Sequence, residues 1–442
     1  MPIKVGLISL GCSKNLVDSE VMLGILKEKE YIITNDARQA DVLIINTCCF
    51  IDKAKEESID AILSYGQFKE KYLCKLLIVA GCMAKRYKDE LAREIPEVDC
   101  FIEPENIQNI EQAIRRFFLN EVGSAEQKEK GNKHNHPLPR LISTGKSTAY
   151  LKIADGCDNR CSYCVIPSIR GKYTSVPMEA LIQEATMLAG RGIKELIIIA
   201  QDTTSYGIDL YGSYKLKELL NKLAQIDGLQ WIRLMYCYPD KIDDELIEII
   251  AGHDNICNYL DIPIQHINDE ILARMNRSHD SQDIIRLFDK LREKISDVVI
   301  RTSLIVGFPG ETHSQFDELC DFLKKYKINR VGAFTYSREE SSPAANFNNQ
   351  INQRTKQERL EKLMEIQREI SYDINKDRLN KKEKVLIEGR RGADLFLGRS
   401  YAEAPEVDGV VFVKSTKELE VGQFVDVIFT EAYEYDMLGE LI

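Results

Sequence analysis

ADGCDNRCSYCVIP, residues 154–167, follows the apolar run AYLKI (149–153) and sets Cys157, Cys161 and Cys164 within eight positions. Three thiolates spaced CxxxCxxC can ligate three corners of a 4Fe–4S cubane, because so short a loop wraps one face of the cluster. The fourth iron is then left without a protein ligand. A structural zinc site closes with four ligands, and the nearest histidines, His134 and His136, lie in a polar stretch upstream. Ordinary core thiols are the plain alternative, but Gly156 before the loop, Tyr163 inside it and Pro167 after it favour a ligand loop. An iron with an open position can take a further ligand, as catalytic metals do.

The surroundings of this loop decide the fold. From residue 149 a strand-then-helix alternation recurs six times, in AYLKIADGC, ELIIIAQD, WIRLMYCYP, NYLDIPIQ, VVIRTSLIVGFPG and RVGAFTYS. Six such units in one segment predict a partial TIM-type barrel with its chemistry at the carboxyl ends of the strands. The three-cysteine loop follows the first strand. A long amphipathic helix closes the segment, with Leu360, Leu363, Met364, Ile366 and Ile370 on one face.

Upstream, KVGLISLGC, DVLIINTCC, KLLIVAGC and DCFIEP alternate with helical stretches, which predicts a doubly wound parallel α/β sheet. Cys12, Cys48 and Cys82 each end one of these strands. In an open α/β sheet, neighbouring strand ends share one crevice, so the three thiols are expected to converge there. Cys49 follows Cys48 directly, but strand alternation points the two side chains apart, and Cys48 is the expected ligand. Cys74, Cys100, Cys237, Cys257 and Cys320 show no such pattern. Downstream, EKVLIEGRR, LFLGRSYAEAPEVDGVVFV and FVDVIFTEAYEYDML are short alternating runs divided by Gly and Pro, the pattern of a small all-β barrel of five strands. The expected division is 1–122, a polar linker over 123–148, 149–375 and 376–442.

The composition bounds the remaining possibilities. The 442 residues are 44% hydrophobic with a formal charge of -11, which fits several cored domains and disfavours broad phosphate binding. No apolar run reaches the roughly 20 residues of a membrane span, and MPIKVGLISL lacks a signal-peptide pattern. A cytoplasmic location without membrane partners is expected. Twelve cysteines are too few for a disulfide scaffold of this length.

The CxxxCxxC loop after the first of six strands resembles the radical S-adenosylmethionine superfamily. With the second cysteine trio and a terminal β-barrel, the whole chain resembles its methylthiotransferase family. The resemblance implies two 4Fe–4S clusters, one on Cys157, Cys161 and Cys164 and one on Cys12, Cys48 and Cys82, with S-adenosylmethionine bound at the open iron of the first and cleaved there to a deoxyadenosyl radical. It also implies that Tyr163 lies near the adenine, that RTSLIVGFPGET, with Arg301, Gly307 and Gly310, helps hold the nucleoside, and that the terminal barrel is TRAM-like.

Within that family, LGCSKNLVDSE, NTCCFIDKAKEES, CVIPSIRGKYTS and GRSYAEAPEVDGVVFV resemble the branch that modifies the β-carbon of an aspartate in small-subunit ribosomal protein twelve, rather than an adenosine of transfer RNA. The expected partners are that protein or the ribosomal subunit and an electron donor such as flavodoxin or ferredoxin; the sequence identifies no sulfur donor and no obligatory acid or base. The terminal module agrees in charge: residues 385–442 hold twelve Asp or Glu against five Lys or Arg, which favours a basic protein over phosphates. Glu403, Glu406, Asp408, Glu431, Glu434 and Asp436 are the expected docking acids. A transfer-RNA methylthiotransferase and a non-catalytic iron–sulfur or RNA-binding protein are the alternatives.

Overall fold

The computed structural model describes residues 2–119 and 136–442; residues 123–135 of the expected linker, His134 among them, lie outside these. The chain forms two compact units: residues 1–143, 154–159 and 165–183 in the first, and 144–153, 160–164 and 184–442 in the second.

The first unit is built on strands β1 (Lys4–Ser9), β2 (Ile32–Ile33), β3 (Val42–Thr47), β4 (Leu76–Gly81) and β5 (Cys100–Ile102), in the order β2-β1-β3-β4-β5. Its strand pairs are parallel. β3 and β4 are buried along their whole length, as strands covered on both faces must be. The order reverses between β1 and β3, which creates a crevice at their carboxyl ends. The helix Ser13–Glu28 leaves β1 and buries a largely polar face: Asn15, Asp18, Ser19 and Glu20 are all at most 2% exposed. Glu20 accounts for part of it, pairing with Arg140 at 2.5 Å and accepting from the Ser143 N–H at 2.7 Å. That stretch of the expected linker is therefore pinned to the helix. A short antiparallel pair, β7 (Ala154–Asp155) with β8 (Thr174–Ser175), belongs to the same unit.

The second unit holds β6 (Thr148–Lys152), β9 (Glu195–Ile199), β10 (Trp231–Leu234), β11 (Ile256–Asp261), β12 (Val299–Val306) and β13 (Arg330–Thr335) in one sheet, ordered β13-β12-β11-β10-β9-β6. Every neighbouring pair is parallel. These are the six predicted strands, forming a partial TIM-type barrel. The long helix is Gln353–Lys376. Leu363 and Ile370 are buried as expected, but Lys356, Arg359 and Gln367 share that face. Each has a partner there: Lys356 Nζ donates to the Tyr336 carbonyl at 2.7 Å, Arg359 Nη1 pairs with Glu311 at 3.1 Å, and Gln367 Nε2 donates to the Ile328 carbonyl at 2.9 Å.

Strands β14 (Lys382–Arg390), β15 (Leu395–Arg399), β16 (Val411–Lys414), β17 (Phe424–Ala432) and β18 (Met437–Leu441) close into a five-stranded barrel, β14-β15-β16-β18-β17. Closure removes the unpaired edges that five short strands would otherwise expose. The connection from β15 to β16 seats this barrel on the central sheet through buried charges. Arg399 Nη2 meets Glu195 at 2.5 Å, Glu403 meets Arg330 at 2.9 Å and Arg378 at 2.6 Å, and Asp408 accepts from the Tyr259 hydroxyl at 2.6 Å. Glu403 is 1% exposed and the Asp408 side chain 2%. These two acids, expected on a docking surface, are internal, because Arg330 and Arg301 of the central sheet, Arg378 just past the long helix and the Tyr259 hydroxyl claim them.

Candidate metal centres and nucleoside site

Cys12 and Cys48 follow β1 and β3, and Cys82 begins the short helix after β4. Two left-handed glycines let these neighbouring strand ends crowd together. Gly11 has φ +89°, and a Cβ there would stand 3.0 Å from Cys48 Sγ; Gly81 has φ +88°, and a Cβ would stand 2.7 Å from the Thr47 carbonyl oxygen. Asn15 ties the same ends, its Nδ2 donating to the Leu10 and Thr47 carbonyls at 3.1 and 2.8 Å. The thiols of Cys12, Cys48 and Cys82 feel one another. Burial pushes the Cys48 thiol up to about 12, with Cys12 and Cys82 adding to the shift. Cys82 is likewise raised by burial, with Arg170 opposing.

Arg170 is the countercharge of this crevice. It ends the short helix Ile166–Arg170, and its side chain is 2% exposed. Nη1 meets Asp18 at 2.8 Å and Asp155 at 2.9 Å, while Nη2 donates to Asn15 Oδ1. Cys49 packs in the core beneath with Ile45, Val79 and Met83; its thiol too is pushed up to about 12, by burial first and then by Cys82.

Among the described residues, no three His, Cys, Asp or Glu side chains form a site for a single metal ion. A multi-iron cluster spreads its thiolates farther apart than one ion does. The donor chemistry fits such a cluster: three thiols, a buried guanidinium to offset their charge, and two buried polar atoms, Ser13 Oγ and Asn46 Oδ1, without a protein partner.

Each unit fixes, by contacts of its own, the part of the CxxxCxxC loop that lies in it. In the first, the Cys157 N–H donates to the Gly171 carbonyl at 3.2 Å, and Gly156, at φ +75°, has no Cβ to clash with the Lys172 carbonyl. In the second, the Cys164 N–H donates to the Cys161 carbonyl at 3.1 Å, the Ser162 N–H to the Met275 carbonyl at 2.9 Å, and Ser162 Oγ to the Arg274 carbonyl at 2.7 Å. Cys161 is buried.

Tyr163 packs against Ile271, Met275, Phe308, Tyr336 and Ala344. Burial holds its hydroxyl well above the ordinary tyrosine value, and Cys161 and Cys164 raise it further. The structure thus brings Tyr163 together with the 307–310 turn, since Phe308 lies between Gly307 and Gly310. Both glycines are left-handed, at φ +73° and +76°, and Glu311 caps the turn by accepting from the Gly307 and Phe308 N–H groups at 2.5 and 3.0 Å. A Cβ on Gly307 would meet the Lys356 side chain and one on Gly310 the Arg274 guanidinium. Arg301 lies upstream on β12. Its guanidinium meets Asp261 at 2.8 Å and Asp408 of the terminal barrel at 3.5 Å.

Asn15, Asp18 and Arg170 were not legible as a set beforehand. The polar helical face in CSKNLVDSE hinted at a buried network, but nothing local ties it to IPSIRG. Tyr236 and Gln265, just past β10 and β11, adopt left-handed backbones at φ 61° and 71°; the Asp261 carboxylate accepts the Tyr236 N–H at 3.1 Å. No sequence signal marks either residue.

Comparison with known proteins agrees with this architecture. Residues 4–103 match the uncharacterized protein family UPF0004, residues 151–323 the radical SAM superfamily and residues 381–442 the TRAM domain. The chain is 49% identical to the ribosomal protein uS12 methylthiotransferase RimO of Desulforamulus reducens over 99% of both chains. It is 48% identical to that of Clostridioides difficile, over 100% of this chain and 99% of the other. Among solved structures, the radical S-adenosylmethionine methyltransferase TsrM from Kitasatospora setae, with cobalamin and a [4Fe-4S] cluster bound, superposes with a TM-score of 0.58 at 13% identity, covering 90% of this chain and 77% of that one; at that identity the likeness is one of fold. With two thiol trios, a six-strand partial barrel and near-complete coverage by its relatives, the chain belongs to the RimO family of radical S-adenosylmethionine methylthiotransferases.

Proposed function

We propose that this chain methylthiolates ribosomal protein uS12 at the β-carbon of an aspartate. What carries the reading is the pair of three-thiol sets in a chain similar, over its whole length, to uS12 methylthiotransferases. Cys12, Cys48 and Cys82 hold one 4Fe–4S cluster, and Cys157, Cys161 and Cys164 hold the other. Bound there, the clusters supply the reductive cleavage of S-adenosylmethionine and the sulfur chemistry that an unactivated C–H bond requires.

The protein's own side chains then have definable tasks. Arg170 offsets the charge of the first thiol set, and Asn15 holds the ends of β1 and β3 at the distance the set needs. Tyr163, Gly307 and Gly310 form the wall for the nucleoside, where glycine backbone permits close approach. Arg301, committed to Asp261 and Asp408, supports that wall through the sheet. No side chain is assigned as an obligatory acid or base.

The working domains are 1–122, 149–375 and 376–442, joined by 123–148. A flavodoxin- or ferredoxin-like donor and a cytoplasmic location suit a cluster enzyme acting on ribosomal protein; among the described residues no helix is long and apolar enough to cross a membrane. Cysteine variants test the ligand assignment. Cys161→Ala should lose one cluster and all cleavage of S-adenosylmethionine, while Cys82→Ala should lose the other cluster, keep cleavage and lose sulfur insertion. Full iron content in either variant contradicts the assignment.

A further inference from the structure

Two side chains from outside the CxxxCxxC loop reach the sulfur of Cys161. The Tyr238 hydroxyl, from the segment after β10, stands 3.6 Å from Sγ, and Arg277 Nη1 donates to Sγ at 3.6 Å. Arg277 is held from two further sides. Its Nη2 donates to the Pro263 carbonyl at 2.6 Å, and its guanidinium lies over the Tyr238 ring, 4.0 Å from the centroid. His279, itself buried, packs edge-on against the same ring at 5.8 Å.

Among the described residues, no carboxylate pairs with Arg277. Burial opposes it, and what favours it is Tyr163, Cys161 and Tyr238, with no carboxylate among them. A buried cation is costly unless a negative group faces it. Of the groups its guanidinium touches, the Pro263 carbonyl, the Tyr238 ring and Cys161 Sγ, the sulfur is the one that carries formal negative charge when it ligates a cluster.

We infer that Arg277, seated on Tyr238, is a positioning residue that donates to the Cys161 thiolate and so raises the reduction potential of the cluster Cys161 binds. This rests on the reading of Cys161 as a ligand. When the cluster takes one electron from the external donor, no bond breaks and Arg277 keeps its proton; the cluster gains one unit of negative charge. A guanidinium and an O–H dipole at a ligand sulfur favour that form, and they do so strongly where little water screens them. The arrangement makes the cluster easier to reduce before it meets S-adenosylmethionine.

The test is an EPR-monitored redox titration of the full, anaerobically reconstituted chain, following the signal that S-adenosylmethionine perturbs. In Arg277→Met the ratio of reduced to oxidised cluster at a fixed potential should fall about tenfold, a shift of about 59 mV for one electron. Arg277→Lys should recover most of it. Tyr238→Phe, which keeps the ring under Arg277 and removes one donor, should shift the same way by less, and it decides the matter if Arg277→Met does not fold. Loaded variants of both positions with the parental potential overturn the inference. Retention of this cluster in Cys161→Ala instead overturns the underlying ligand reading, a separate and distinguishable failure.

Discussion

Gly81 and Gly192 both have left-handed backbones, yet they differ in what surrounds them. A Cβ at Gly81 would press on the Thr47 carbonyl, whereas one at Gly192 would meet nothing within 4 Å. Gly192→Ala should cost only backbone strain, about 1–2 kcal/mol, and leave iron content unchanged. Gly81→Ala should in addition push β3 from β4 and lower iron content by about one cluster, measured by iron analysis of the reconstituted proteins. His266 gives a prediction in pH. It is fully buried, its Nδ1 accepts the Asn268 N–H at 3.0 Å, and burial, aided by Arg359, lowers it to about 3. The folded chain keeps it neutral while the unfolded chain protonates it near 6.5. Its contribution to stability is therefore complete above 6.5 and is lost as pH falls, by about 1.4 kcal/mol per pH unit. His266→Gln should unfold with a flatter dependence between pH 5 and 7; an identical slope contradicts the account. At this scale the sequence was readable where chemistry repeats: three strand ends in cysteine, three cysteines in one loop. Arg170 and Arg277 were not, because Asp18 and Cys161, the partners that tie them to the two thiol sets, lie more than a hundred residues away and no spacing rule connects them.

Among the elements, β3, β4 and β9 were legible because fully buried strands read as β-branched and leucine runs, whereas β1 and β13, partly exposed, were legible from their place in the strand–helix alternation. β2, two residues long, has too few positions to show a period. The helix Gln353–Lys376 was legible in place and only partly in role. Its apolar positions announce a packing face, but nothing in the pattern marks Lys356, Arg359 and Gln367 as part of it, since long polar residues are seldom buried. Arg359 and Glu311 form a buried pair at 3.1 Å, beside the turn that carries Gly307 and Gly310. Arg359→Leu should destabilise the protein by about 3–5 kcal/mol, since it strands Glu311. Glu311→Gln in the same chain should recover much of that loss. Denaturant unfolding of the single and double variants checks it, and strictly additive losses contradict a direct pairing.

Across the whole second unit, the terminal barrel and the central sheet share charges that belong to neither alone. The Arg399 and Arg233 guanidiniums, against the cost of burial, hold Glu195 down at about 2, and Arg378 and Arg330 do the same for Glu403. Arg399→Met should therefore lower the unfolding temperature of barrel and sheet together, read as a single transition. This is also why composition misled in part: twelve acids in the module are a true count, but counting cannot separate Glu403 and Asp408, which face inward, from exposed acids such as Glu406, Glu431 and Glu434. Lysine at those three exposed positions should weaken binding to a basic protein and reduce its salt sensitivity, measured as uS12 affinity against ionic strength, whereas Glu403→Lys should unfold the seam and report nothing about docking. The central claim is that two clusters in this fold insert a methylthio group into uS12. Its most direct test is to incubate the reconstituted chain with S-adenosylmethionine, a reductant and sulfide, offer uS12 and transfer RNA in parallel, and weigh both. The account predicts uS12 heavier by one methylthio group in place of one hydrogen, mapped to an aspartate, with transfer RNA unchanged; modified transfer RNA with unaltered uS12 would contradict it.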